Sequence, residues 1–209
     1  MTLVATHHPS SQRSNRDRLV SEARRLFAEH GYAEVSVDEV AAAANLTKGA
    51  VYYQFKDKAD LFHAACHAVM EDVVRQVDAA GRGAGTPRLE ELMTGGRRMF
   101  DAYGTREAHR LLLIDGPSVL GFGPWLALQE PIGACLVADG LKHYAQAGMV
   151  PANQIDALSH LLFGAFVQGV LRIASAPPAE RDQTERDVRA ATGTLLRAFL
   201  RGLQQPETP

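Results

Sequence analysis

The stretch at 36–58, which reads SVDEVAAAANLTKGAVYYQFKDK, constrains the fold more than any other part of the chain. Ser36 stands where a helix N-cap is expected, and Glu39 completes a capping box in which each residue can bond the backbone amide of the other. Asn45 tolerates the left-handed backbone that ends a helix, and Thr47 can cap the helix that follows. The pattern predicts a helix-turn-helix unit, with short helices at 37–44 and 48–54.

The apolar residues of this unit leave one face of its second helix uncovered. The residues spaced to pack inwards are Val40, Ala41, Leu46, Val51 and Phe55. The remaining face consists of Lys48, Gly49, Tyr52, Tyr53 and Gln54. Exposed helix faces usually carry long charged side chains, so two adjacent tyrosines near a glycine indicate a surface that contacts a partner. On spacing alone, an ordinary core position for the tyrosines remains open.

The rest of the chain also has helical periodicity. No segment alternates apolar and polar residues for long, and no Asn-Gly or Asp-Gly hairpin signal is present. Breaks are predicted at Gly81–Pro87, in the Gly- and Pro-containing segment 116–124, and at Pro177–Pro178. The sequence therefore predicts an all-α fold of about nine helices, at 15–30, 37–44, 48–54, 58–80, 87–102, 105–114, 124–147, 151–174 and 179–203.

Composition excludes several classes of protein. The 209-residue chain has a formal net charge of −2, which argues against coating nucleic acid by bulk charge but not against a local basic face. We find no apolar run of about 18 residues, and the first 15 residues lack the apolar core of a signal peptide, so a cytoplasmic protein without membrane contact is expected. Cys66 and Cys135 form no CxxC unit and are expected to be reduced thiols.

The segment from about Arg16 to Phe62 resembles the N-terminal domain of the TetR family of transcriptional regulators. The resemblance is carried by Phe27, Gly31-Tyr32, Ser36 and the run TKGAVYYQFKDKADL at 47–61. It implies a DNA-binding domain at 1–62 and a helical ligand-binding and dimerisation domain at 63–209. It further implies a homodimer that binds a double-stranded DNA operator, answers to a small-molecule effector and needs no cofactor.

The resemblance also assigns DNA contacts to individual residues. Base edges are assigned to Lys48, Gly49 and Ala50, thymine methyls and phosphates to Tyr52 and Tyr53, and further phosphates to Ser36, Thr47, Gln54 and Lys58. Gln54 stands where histidine is common in the family.

Two helices of the C-terminal part are candidates for a subunit interface, and several side chains are candidates for a ligand pocket. The helix at 151–174 is apolar around its axis, which is typical of a helix buried on several sides. The interface candidates are Leu162, Phe166, Val170, Leu195 and Phe199. The pocket candidates are Met99, Phe100, Tyr103, Leu112, Phe122, Trp125, Phe163, Phe166 and Gln168, with ordinary core as the alternative for each. His109 and His143 are weaker candidates.

Catalytic and metal motifs are not found in the sequence. There is no P-loop, GxSxG or HExxH motif, and the acidic residues form no obvious catalytic pair. His63, His67 and Glu71 share one helix face, but a solvated surface explains them better than a metal site does. We expect a ligand-released repressor that binds a palindromic operator. A helical enzyme and a helical adaptor are the alternatives, and only DNA binding predicts an affinity that falls steeply with salt.

Overall fold

The structure is a computed structural model that describes residues 9–78, 88–130 and 137–204, and every regular element in those ranges is helical. The α-helices are α1 (Pro9–His30), α2 (Val37–Ala43), α3 (Lys48–Gln54), α4 (Lys58–Asp78), α5 (Arg88–Tyr103), α6 (Gly116–Leu120), α7 (Phe122–Glu130), α8 (Ala138–Gln146), α9 (Ile155–Ala174) and α10 (Arg181–Gln204). A π-helical segment, Ala108–Asp115, precedes α6, and a 3₁₀ turn, Ala152–Gln154, precedes α9. The prediction of an all-α fold is confirmed.

The first three helices form a compact unit around α1. Leu19, Ala23 and Phe27 have no exposed surface, because they recur at helical spacing on the side of α1 that faces α2, α3 and α4. The ring of Phe27 packs edge-on against Phe62, with the ring centroids 5.3 Å apart. Since Phe62 belongs to α4, this aromatic contact joins the N-terminal unit to the long helix that leads into the rest of the protein.

The capping signals in the sequence are confirmed by the structure. The Ser36 hydroxyl accepts the Glu39 amide at 3.1 Å, and the Glu39 carboxylate accepts the Ser36 amide at 2.7 Å, which completes the capping box. These bonds to its carboxylate lower the pKa of Glu39. Thr47 caps α3 by accepting the Ala50 amide at 3.2 Å, and Asn45 has a φ of 53° in the turn. The turn geometry therefore follows from local residues alone.

Several predicted boundaries differ from the structure. The first helix begins at Pro9 rather than after an Asn15 cap. Within the predicted helix at 124–147, the described residues belong to α7, which begins at Phe122, and to α8; residues 131–136 lie outside the described ranges. The break predicted at Gly81–Pro87 and the residue Cys135 also lie outside them.

The irregular stretch predicted around Gly116–Pro117 is wrong, because α6 continues directly from the π-helical segment. Pro117 lies in the first turn of α6, where the fixed φ of proline suits a helix. It also cannot donate to the carbonyl of Leu112, five residues earlier, as a π-helix would require. The Trp125 indole N–H donates to that oxygen instead, at 2.6 Å, so a tertiary contact satisfies the carbonyl.

The helical stretch Ala152–Ala174 is long and apolar enough to cross a membrane, with a mean hydropathy of 1.5 over its most apolar window. The search of the sequence for an unbroken apolar run did not indicate such a helix. Only 33% of that window is buried within the protomer, although Phe163, Phe166 and Val170 are fully packed. A large part of this apolar helix is therefore at the surface of a single subunit.

Candidate nucleic-acid interface and helical-domain cavity

The outer face of α3 is exposed, as predicted. Tyr52 is 50% exposed and Tyr53 is 72% exposed, whereas Val51 and Phe55 on the inner side are 1% and 2% exposed. The assignment of Val51 and Phe55 to the core is confirmed, and the alternative in which both tyrosines are core residues is excluded. An adjacent pair of aromatic side chains on the surface of a short helix is suited to contacting a partner.

Gly49 lies on this exposed face, and nothing inside the protein requires a glycine there. A Cβ atom at this position would meet only the Thr47 hydroxyl, at 3.8 Å, which is ordinary van der Waals contact. The backbone of Gly49 is helical, so no positive φ explains the glycine either. The absence of a side chain therefore leaves the α3 backbone open to close approach from outside.

Lys48 forms an ion pair that the sequence analysis did not anticipate. Its Nζ atom donates to the Asp38 carboxylate of α2 at 2.8 Å, and both side chains are more than half exposed. The hydrogen bond to Asp38 raises the pKa of Lys48, so the ammonium is fully charged at neutral pH. The pair also places the first turns of α2 and α3 side by side.

The two capping hydroxyls differ in what they can still donate. The Ser36 hydroxyl donates to the Glu39 carboxylate at 2.7 Å and also accepts the Glu39 amide, so its proton is already engaged. The Thr47 hydroxyl only accepts, from the amide of Ala50, and retains its proton for an outside acceptor. Of the two, Thr47 is the better placed to bind a phosphate.

Lys58 has internal partners at the N-terminus of α4. Its Nζ atom donates to the Ala33 carbonyl at 3.3 Å and lies 4.3 Å from the centre of the Tyr32 ring. A lysine ammonium has three N–H donors, so these contacts leave capacity for a phosphate. The Gln54 and Ala50 side chains, which the resemblance also assigns to DNA contact, are partly buried beside the exposed tyrosines of α3.

The arginines of α1 mostly stabilise the unit instead of forming a free basic patch. Arg18 donates to the Ala44 carbonyl at the end of α2, and the Arg16 guanidinium lies 5.0 Å from the centre of the Phe55 ring. Arg24 pairs with Asp72 of α4 at 2.6 Å. Contacts within the fold therefore hold these three guanidinium groups in place, and a carboxylate neutralises that of Arg24.

A cavity of about 790 Å³ lies between α4, α5, α8, α9 and α10. Its walls are mainly apolar or small, and its polar lining consists of Asp78, Asp139, His143, Tyr144 and Thr192. Of the nine pocket candidates, Met99, Phe163 and Phe166 line this cavity, as does the weaker candidate His143. An apolar cavity of this size with a few polar groups is suited to a drug-sized organic molecule.

The other six pocket candidates lie elsewhere. Tyr103 and Trp125 are buried and donate to Gln129 Oε1 and the Leu112 carbonyl, both at 2.6 Å, while Phe100 and Leu112 are buried in the core. Phe122 is 70% exposed, and Gln168 is exposed on α9. These six residues do not line this cavity, and residue type alone could not indicate the glycines and acidic residues that do.

The five interface candidates also differ in how exposed they are. Phe166 and Val170 are buried within the protomer, so the structure removes them from any exposed face of α9. Leu195 is 47% exposed, and Leu162 and Phe199 are partly buried. The exposed side of α9 includes Ala157, Leu161, Gly164, Ala165, Gln168 and the charged Arg172, and Leu161 is 69% exposed.

His63, His67 and Glu71 do not form a metal site. The contact between His67 Nδ1 and Glu71 Oε1 is 3.5 Å long and exposed, and no group of three potential ligands comes together anywhere in the described ranges. Cys66, on the same helix, is buried, and its burial raises the pKa of the thiol, which stays protonated.

Comparisons with known proteins agree with this architecture. Residues 19–65 match the model of "Bacterial regulatory proteins, tetR family", and residues 89–200 match "Tetracyclin repressor-like, C-terminal domain". The chain is 26% identical to the HTH-type transcriptional regulator AcrR of Shigella flexneri, over 88% of this chain and 89% of that protein. It is 28% identical to the HTH-type transcriptional repressor Rv1474c of Mycobacterium tuberculosis, over 90% and 99% of the two chains.

A solved TetR-family transcriptional regulator from Pectobacterium atrosepticum superposes with a TM-score of 0.76 at 25% identity, covering 94% of this chain and 97% of that one. The two family models together span both the N-terminal unit and the helical remainder. The chain therefore belongs to the TetR family, and it is a DNA-binding transcriptional regulator, not an enzyme.

Proposed function

We propose that the protein is a homodimeric repressor that binds a palindromic operator through α3 of each subunit and is released from it by a small molecule bound in the helical domain. The exposed tyrosine pair beside Gly49 is the observation that carries this proposal. The division into a DNA-binding domain at 1–62 and a ligand-binding and dimerisation domain at 63–209 is part of it, and such a regulator acts in the cytoplasm.

In this proposal α3 enters the major groove. Gly49 and Ala50 let the backbone approach base edges, Lys48 reads a base after leaving Asp38, and the tyrosine rings contact thymine methyls and phosphates. Thr47, Gln54 and Lys58 bind phosphates and fix the register of the helix on the duplex. Ser36 contributes through the backbone at the start of α2, since its hydroxyl is already engaged.

The exposed side of α9 supports the homodimer. Its small residues allow a second helix to approach closely, and Leu161 offers apolar surface that a partner would cover. The neighbouring exposed positions of α10 are Ala190, Ala191, Thr194, Leu195 and Ala198. Two-fold pairing of these helices presents two copies of α3, which is why a palindromic operator is expected.

The first experiment is to select duplexes from a random-sequence library with the purified protein and to titrate salt against the best one. We expect a palindromic site whose affinity falls steeply as salt rises, because each phosphate contact releases counterions. Tyr52→Ala should abolish the preference for this site, while Tyr52→Phe, which retains the ring, should keep most of it. An absence of any enriched site, with affinity independent of salt, would contradict the proposal.

Effector release is tested at the cavity wall. A side chain added at Gly95 would meet no protein atom within 4 Å of its Cβ, so Gly95→Phe should fill part of the cavity without disturbing the core. We expect this variant to bind the operator but to lose stabilisation by compounds that a thermal-shift screen finds for the wild type. Gly123→Phe is the control, since position 123 is equally open and does not line the cavity.

A further inference from the structure

The turn between α1 and α2 is held by a side chain from the helical domain. The Asp115 carboxylate accepts the backbone amide of Tyr32 at 2.8 Å, across 83 positions of sequence. The Asp115 side chain is only 13% exposed, so a charged acceptor for a main-chain donor lies largely out of water. Hydrogen bonds to an ionised acceptor are stronger than neutral ones, which makes this a firm attachment for the turn that carries α2 and α3.

The same carboxylate holds an arginine against the turn. Arg110 Nε donates to Asp115 at 3.1 Å, and the Arg110 guanidinium lies on Gly31, where a Cβ atom would overlap it. Gly31 has a φ of +87°, which favours glycine, and a Cβ atom there would also displace the end of the Arg110 side chain. The Gly31-Tyr32 pair, which is part of the family resemblance, is thus also a docking point for the helical domain.

A second arginine binds the end of α1 itself. Arg106 donates to the carbonyls of Ala28 and Glu29, at 3.2 and 3.3 Å, which lie in the last turn of the helix. A cation beside these carbonyls is favoured by the helix dipole and satisfies acceptors that have no partner within the helix. Arg106, Arg110 and Asp115 therefore form an interdomain clamp on the C-terminus of α1 and the turn after it.

The clamp is continuous with the interior of the helical domain. Arg110 and Asp115 belong to the π-helical segment, and the Leu112 carbonyl of that segment accepts the Trp125 indole. On the same helix as Trp125, Gln129 accepts the Tyr103 hydroxyl, and the Tyr103 ring packs 5.8 Å from that of Phe166 in the cavity wall. A series of direct contacts thus links the cavity to the turn that precedes α2.

We propose that Asp115 is a positioning residue for operator binding, which fixes α2 and α3 through the Tyr32 amide and makes their position depend on the π-helical segment. The proposal rests on the proposed role of α3 in reading the operator. Freed from Asp115, the turn has alternatives to its present position, and the fraction of molecules with α3 correctly placed falls. Nonspecific DNA affinity, which depends on charge rather than placement, is unaffected.

The test compares Asp115→Ala and Asp115→Asn with wild-type protein on the best duplex from the random-sequence selection. We expect Asp115→Ala to weaken binding to this duplex about tenfold, the effect of losing one hydrogen bond to a charged group. Asn retains an acceptor for the Tyr32 amide, so Asp115→Asn should restore part of the affinity. The matched control is Asp101→Ala, which breaks the ion pair of Asp101 with Arg189, 2.8 Å long, in the same domain.

Trp125 provides a readout that a purely structural role would not affect. It is the single tryptophan of the chain and is bonded to the π-helical segment, so its emission should change when the selected duplex binds to wild-type protein. This change should be lost in Asp115→Ala and kept in Asp101→Ala, while binding to a random duplex stays equal in all three. If Asp115→Ala does not fold, Asp115→Asn is compared with the wild type in its place, and a smaller loss of affinity for the selected duplex is expected.

Two results would overturn the proposal. One is wild-type affinity for the selected duplex in both Asp115 variants. The other is a parallel loss of specific binding, nonspecific binding and thermal stability, which would make Asp115 a residue of the folded core only. Failure of the proposed function can be told apart from failure of the Asp115 proposal. If the proposed function is wrong, the wild-type protein selects no duplex, and this is seen before any variant is made.

Discussion

At the scale of single residues, the pair of Lys48 and Asp38 controls the charge that α3 presents to DNA. The lysine was predicted to contact a base, but its ammonium is bonded to a carboxylate on the neighbouring helix. In the proposed complex, Lys48 would exchange this ionic contact for one with DNA, and the Asp38 carboxylate would remain close to the duplex. The pair would then reduce affinity for DNA in general and favour sites at which Lys48 gains a good partner.

We expect Asp38→Asn to raise the affinity for DNA of any sequence, by about two- to fivefold for each subunit, the usual range for an exposed ion pair. The preference for the selected operator over random duplex should shrink at the same time. Fluorescence anisotropy with both duplexes measures this, with Asp101→Asn as a control for loss of a carboxylate far from α3. Unchanged or weakened binding to both duplexes would contradict the role given to Asp38.

Residue-level prediction succeeded where neighbours in sequence decide the structure. The caps at Ser36 and Thr47 and the left-handed Asn45 each depend on bonds within a few positions, so the residue types were sufficient. The partner of Lys48 is ten residues away and the partner of the Tyr32 amide is 83 away. No periodicity or motif marks such contacts, because they arise only when separate helices pack.

At the scale of elements, two glycines at positive φ separate the cost of backbone strain from the cost of a close contact. Gly31 and Gly121 have φ values of +87° and +80°, but only Gly31 has another side chain where its Cβ would be. Each alanine variant should lose about 1 kcal/mol or more from its own unfavourable backbone. Gly31→Ala should lose a further amount, since its Cβ also displaces Arg110 from Asp115.

Urea denaturation of both variants measures the difference. In the Arg110→Ala background, the further loss at position 31 should disappear, so the cost of Gly31→Ala should fall there while that of Gly121→Ala stays unchanged. An extra loss that persists without Arg110 would mean that some other contact makes Gly31 necessary.

The π-helical segment depends on a hydrogen bond from another helix. Replacing Trp125 with Phe keeps an aromatic ring but leaves the Leu112 carbonyl without the donor that Pro117 cannot supply. We expect the free energy of unfolding to fall by about 1–3 kcal/mol, the cost of an unsatisfied buried acceptor plus some lost packing. Phe122→Leu, at an exposed position of the same helix, should change the free energy of unfolding little. Calorimetry that finds Trp125→Phe as stable as wild type would show that the carbonyl has another partner.

Element-level prediction failed at this same segment, for a physical reason. Glycine and proline at 116 and 117 were interpreted as an irregular break, yet proline in the first turn of a helix needs no N–H. The residues that decide the outcome are Leu112 and Trp125, which meet only in the folded protein. The winding of Ala108–Asp115 is thus set by tertiary contacts that the local sequence does not reveal.

At the scale of the whole molecule, the exposed side of α9 determines the assembly that is expected. Leu161→Glu places a charge in the middle of the proposed subunit contact and should produce monomers, because an unpaired charge cannot be buried there. These monomers should bind the palindromic operator much more weakly, since only one α3 engages at a time.

Sedimentation velocity measures the assembly state, and Phe122→Glu is the matched control. Position 122 is as exposed as position 161 but lies on α7, away from α9 and α10, so this variant should remain dimeric. Dimers of Leu161→Glu would exclude this face of α9 from the interface. Leu161 is a better position for this test than Phe199, which was an interface candidate from the sequence, because Phe199 packs against a buried cluster of its own protomer.

The fold class and the family were evident from the sequence because helical periodicity and the 47–61 motif are strong local signals. The cavity was not, since it forms between five helices and is lined in part by glycines, which have no side chain to mark a pocket. Only three of the nine residues chosen as pocket candidates line this cavity. The sequence was therefore sufficient to predict the helices, whereas the cavity that forms between helices could be located only from the structure.

The wall of the cavity and the exposed face share two helices. Ala165 of α9 and Leu195 of α10 line the cavity and are also at the surface that a second subunit would cover. In the proposed regulator, an effector bound there and a partner subunit would contact the same side chains, and coupling between them would change the affinity for each by the same factor. The dose of effector needed for release would then depend on how many copies of the regulator a cell contains. Two cells with identical genes but different expression levels would respond to the same compound at different concentrations.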